Sequence, residues 1–104
     1  MEAFKIISED NLNIGVSNLK YKEFLKNQNV ELIDNDLKFK RFYHYIILDK
    51  DIDIKKVFRA LRNGGYLLST IKYDDNLLYD IGFSAISKID EFFIIKKVHS
   101  WNDF

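Results

Sequence analysis

Apolar positions along this chain fall into short runs separated by polar turn clusters, and the spacing inside the runs switches between strand-like and helix-like. Residues 4–8 (FKIIS) form the first run, closed by Glu9-Asp10-Asn11, and read as a strand. Beyond Ser17, a candidate N-cap, Leu19, Phe24 and Leu25 recur at roughly helical spacing and predict a helix over 17–28. Residues 30–33 (VELI) read as a second strand ended by Asp34-Asn35-Asp36. The strongly basic stretch 37–42 (LKFKRF) reads as a connection. Residues 45–48 (YIIL) are all large and apolar, the pattern of a strand buried on both faces.

Further along, Asp51 or Asp53 can cap a helix over 54–62, in which Ile54, Val57, Phe58 and Leu61 follow the i, i+3, i+4, i+7 spacing of one helical face. Asn63-Gly64-Gly65 is expected to end it, because glycine takes the left-handed conformation of a helix stop without steric penalty. Residues 66–71 predict a strand. Asp74-Asp75 predicts the cap of a short helix carrying Leu77, Leu78 and Ile81 and stopped at Gly82. Residues 83–89 and 92–99 predict two strands, and Asp90-Glu91 between them is short enough to demand an antiparallel hairpin. The resulting β-α-β-β-α-β-α-β-β order predicts a mostly parallel sheet with helices on both faces: a three-layer α/β fold in one domain over 1–104, mixed because of the final hairpin.

Composition narrows the function classes. A hydrophobic fraction of 47%, 15% aromatic, supplies a core for a chain of 104 residues. Lys+Arg and Asp+Glu balance at 16 each, so the basic excess typical of nucleic-acid binders is missing. There is no cysteine, and His44 and His99 lie far apart in sequence, which gives no support to a metal site. D-x-D-x-D at Asp49, Asp51 and Asp53 is not a calcium loop, because Ile54 and Ala60 stand where such a loop needs glycine and an acid. An amino terminus without a basic region and the absence of a long apolar run predict a cytoplasmic chain that does not enter the membrane.

Three pieces of the second half, taken in order, resemble the class I, Rossmann-like S-adenosylmethionine-dependent methyltransferases. YHYIILDKD is similar to their fourth strand and its acidic end, VFRALRNGGYLLST to the helix, Gly-Gly turn and fifth strand, and DIGFSAISKIDEFFIIKK to the reversed final strands. Aminopropyltransferases of the spermidine synthase type share this half. The resemblance implies a sheet order of 2-1-3-4-6-5 with only strand 6 antiparallel, the strand at 4–8 lying beside that at 45–48. It also implies a catalytic or substrate-facing role for Asp49, just past a strand end where ligands of open α/β sheets bind. Glu9 and Asp10 would match the acidic strand end that holds ribose.

The first half departs from that family. The cofactor site there needs a glycine-rich turn after the first strand, and EDNLNIGVSN offers only Gly15. Residues 4–8 could be the first strand with a ruined loop, or the second strand of a chain lacking the first unit, with VELIDND as the third; the short 34–44 connection fits the latter better. Either way the pocket is incomplete. The expectation is therefore a binding or accessory domain without independent catalysis and without a bound cofactor, working with a protein partner or as a homodimer. The alternative is a small methyl- or aminopropyl-transferase using an S-adenosylmethionine-type nucleotide through Asp49. A third reading takes Lys38, Lys40, Arg41 and Tyr43, in LKFKRFYHY, as cations and an aromatic for single-stranded RNA. Trp101 and Phe104 are expected either to fold back on the domain or to dock on a partner.

Overall fold

The computed structural model describes residues 1–98, so the expectations for His99, Ser100, Trp101 and Phe104 lie outside the described residues. Its centre is a six-stranded sheet: β1 (Asn13–Val16), β2 (Asn29–Leu32), β3 (Tyr43–Leu48), β4 (Leu61–Ser69), β5 (Phe83–Ile89) and β6 (Phe92–Lys97), in the order β2-β1-β3-β4-β6-β5. β1 to β4 run parallel and β6 is antiparallel to both neighbours. The expected order is present, although its first strand is not the segment expected.

Period-two alternation sorts the strand residues onto two faces. Ile46 and Leu48 of β3, Leu67 of β4 and Ile95 of β6 point to one face, covered by α1 (Ile54–Ala60) and α2 (Asp75–Ile81) through Val57, Phe58, Leu78 and Ile81. Ile47, Leu68, Phe92 and Ile94 point to the other, together with Ile14 and Val16 of β1. That face is covered by two short 3-10 helices, η1 (Glu2–Ile6) and η2 (Leu19–Phe24). Among the described residues, no helix is long and apolar enough to cross a membrane.

Residues 4–8 are not a strand. Ala3 and Phe4 are buried, and the Phe4 ring meets those of Tyr21 and Phe92 at 5.7 and 5.4 Å between centroids. The apolar run is thus a single tight turn that caps one sheet face. The strand beside β3 is instead Asn13–Val16, and Gly15 belongs inside it rather than to a cofactor loop. A Cβ there would stand 3.1 Å from Ile33 and 3.4 Å from Tyr43. Neither alignment of residues 4–8 holds, since VELI supplies the second strand beside a first that is present.

The helix expected over 17–28 is reduced to η2, capped by Asn18 rather than Ser17. Asp53 caps α1 by accepting the Lys55 N–H at 3.0 Å. That helix stops at Ala60, and Leu61 is already extended, so Gly64 does not end it. Lys97, almost fully buried, donates from Nζ to the carbonyls of Phe58 and Leu61 at 2.7 Å each and satisfies the end of α1 in place of a glycine cap. Asp74 and Gly82 bound α2 as expected, Gly82 with φ of 128°.

Candidate functional site

The parallel strands bring the ends of β1 and β3 together, and Asp49 emerges at that edge. Ser17, immediately after β1, extends the ladder by donating its N–H to Ile47 at 3.0 Å. Its hydroxyl donates to Asp49 Oδ1 at 2.6 Å and accepts the Asp49 N–H at 2.8 Å. Asn18 is doubly used: Oδ1 accepts the Lys20 N–H at 3.0 Å, while Nδ2 donates to Asp49 Oδ2 at 3.1 Å. Lys20 Nζ lies 3.5 Å from the same oxygen.

These contacts set the electrostatics. Burial pushes the Asp49 carboxyl up, but the bonds from Ser17 and Asn18 and the charge of Lys20 outweigh it and hold the group below the usual aspartate range. Tyr21 is pushed up to about 12, first by burial and then by the carboxylates of Asp49 and Glu91. The edge therefore carries a committed anion held by Ser17, Asn18 and Lys20. Asp49 stands where the sequence placed it. Ser17, Asn18, Lys20 and Tyr21 were missed as its companions, and the signal that would have found them is the alternating NIGVSN, a strand running straight into two polar residues.

The other expected site residues do not join this cluster. Glu9 and Asp10 precede β1 and lie at the opposite, amino-terminal edge of the sheet. They stand at no strand's carboxyl end, so the positional reason for expecting them to hold ribose is gone. Lys38, Lys40 and Arg41 are exposed on the loop between β2 and β3, and Lys38 borders a groove of about 310 Å³ beside Phe39. Tyr43 is 1% exposed and its hydroxyl donates to Glu31 at 2.7 Å, which removes it as a stacking platform. Phe39 and Phe42 stack on each other instead, 4.6 Å between centroids. Among the described residues, no group of three or more His, Asp or Glu side chains is arranged to hold a metal ion.

His44 is half-buried. Nδ1 accepts the Asn13 N–H at 3.0 Å, tying β3 to the start of β1. Burial first, and then the charge of Arg62, holds its pKa below the usual histidine range.

The strand order, the single reversed strand and the two-sided helical cover define a mixed, three-layer Rossmann-like α/β fold. Among solved structures, the chain is similar to the antibiotic-resistance methyltransferase Kmr, with a TM-score of 0.53 at 11% identity over 95% of this chain and 92% of that one. It is also similar to the M. jannaschii protein TYW2 in complex with AdoMet, with a TM-score of 0.47 at 14% identity over 91% of this chain and 70% of that one. No protein-family model matches the chain, and no curated protein does.

Proposed function

We propose that this chain is a methyltransferase-fold domain without independent catalysis, acting as a binding or accessory protein. The observation that carries this is the closed edge at Asp49. In a dinucleotide- or adenosine-binding α/β protein, backbone N–H groups after the first strand meet the ligand because glycines leave them uncovered. Here Ser17 and Asn18 occupy that turn, and their side chains are bonded to the carboxylate that a substrate would otherwise use. η2, a short 3-10 helix, follows in place of a long helix whose N-terminus could face an anion.

The surface for a partner is the outer edge of β2. Asn29 and Ile33 donate their N–H groups inward to Leu12 and Val16, so the alternate residues Val30 and Leu32 direct theirs outward. Leu32 is 59% exposed there. A strand from a partner, including a second copy of this chain, would pair with that edge.

Calorimetry with S-adenosylmethionine, its demethylated product and its decarboxylated form tests the reading. No heat of binding is expected at physiological concentrations. A dissociation constant near ~10 µM, about −7 kcal/mol, would refute it in favour of a transferase working through Asp49.

A further inference from the structure

The amino-terminal ends of β1, β3 and β4 border a cavity of about 180 Å³, on the sheet edge opposite Asp49. An irregularity in β4 shapes it. Between the pairs Tyr43–Leu61 and Tyr45–Tyr66, β3 contributes His44 alone, whereas β4 contributes Arg62, Asn63, Gly64 and Gly65. The surplus residues arch out of the ladder, and bulges of this kind re-aim side chains beside binding sites. Two glycines permit the arch. Gly64 has φ of +81°, and a Cβ on Gly65 would lie 2.9 Å from the backbone oxygens of both Arg62 and His44. The arch places Arg62 on the cavity wall.

Four kinds of chemistry meet on that wall. His44 accepts a backbone N–H at Nδ1, so its neutral ring carries the proton on Nε2 and offers it as a donor. The Arg62 guanidinium is a planar fork matched to a carboxylate. Glu9 contributes a carboxylate of the protein's own, suited to an ammonium. Tyr45 and Tyr66 line the cavity with rings stacked 5.8 Å apart at an interplanar angle of 14°, a flat surface for an apolar group. The volume of about 180 Å³ is below the ~300–1,000 Å³ of sites that bury drug-sized ligands and suits a smaller molecule.

We propose that this cavity binds a small zwitterion of the α-amino acid type. Its carboxylate is held by Arg62 and His44, its ammonium by Glu9, and its side chain rests against Tyr45 and Tyr66. The site does not depend on whether the Asp49 edge takes a cofactor.

Calorimetry and ligand-observed NMR on the full chain, with a panel of aliphatic and aromatic amino acids, test the proposal. At least one amino acid is expected to bind with a dissociation constant below about 1 mM, and its amide and its N-acetyl derivative each at least about tenfold more weakly. Arg62→Gln and Glu9→Gln should each weaken the parent amino acid about tenfold. Both positions are exposed, and circular dichroism checks that the variants keep the fold. Absence of binding across the panel, equal binding of the amide or N-acetyl form, or undiminished affinity in either variant would overturn the assignment. S-adenosylmethionine itself ends in an α-amino acid, so a parallel titration with adenosine, which lacks that end, reads the Asp49 edge separately.

Discussion

Replacing Asp49 with Asn probes the closed edge with almost no change in shape. The carboxylate is 18% exposed and accepts from the Ser17 hydroxyl and the Asn18 amide, with Lys20 at 3.5 Å. An asparagine has one acceptor oxygen, so its amide nitrogen must face either the Ser17 or the Asn18 donor, and the charge assistance to both bonds disappears. A hydrogen bond to a charged group contributes about 1.5–3 kcal/mol net, and leaving a part-buried donor without an acceptor adds to the loss. The Lys20 pair, whose lysine is 60% exposed, contributes under about 1 kcal/mol. A loss of about 2–3 kcal/mol follows, a large share of the ~5–15 kcal/mol that holds a domain of this size together.

Urea unfolding followed by far-UV circular dichroism measures this directly, with an unchanged denaturant slope showing that the native state keeps its compactness. The pH dependence supplies an independent readout. The folded pKa of Asp49 is depressed, so its stabilisation is present above the ordinary aspartate value of about 3.9 and is lost as pH falls through the lower folded value. Asp49→Asn should flatten that acid limb. A stability change within about 0.5 kcal/mol would mean that the carboxylate is a solvated surface group, and that Ser17 and Asn18 do not close the edge.

Three further outcomes are expected. Gly65→Ala should destabilise by about 1–3 kcal/mol, because its Cβ meets two backbone oxygens at 2.9 Å, and Gly64→Ala, which has open space, by the ~1–2 kcal/mol of left-handed strain; an unchanged unfolding midpoint for either would refute the account of the arch. Lys97→Met should cost about 1–3 kcal/mol by leaving the Phe58 and Leu61 carbonyls without their donor, and a neutral result in thermal unfolding would show that α1 ends without its help. The depressed pKa of His44 predicts a stability contribution that is lost as pH falls below about 6.5, where the unfolded histidine takes up a proton first; His44→Gln should abolish that part of the pH profile, and an unchanged profile would contradict a neutral His44.

Where apolar residues form an unbroken run or keep a strict helical spacing, the elements were legible in the residues. β3, β6 and α1 announce themselves because YIIL, FFII and the Ile54-Val57-Phe58-Leu61 spacing have only one way to hide their apolar atoms. Asp49 was legible for a related reason: a polar residue straight after such a run must stand at a sheet edge. The first thirty residues carried no comparable constraint. FKIIS and NIGV are both short and apolar, and only the packed rings of Phe4, Tyr21 and Phe92 decide that the former is a cover and the latter the strand beside β3. The Gly64-Gly65 pair likewise signalled a turn of special geometry, yet whether it ends a helix or arches out of a strand depends on Lys97, thirty-odd residues away, capping α1 first. Local sequence determined which segments must be buried and where the chain must bend. The tertiary structure decided which segments face each other, because pairing and capping are made by groups distant along the chain, and their free energy exists only once the sheet has assembled.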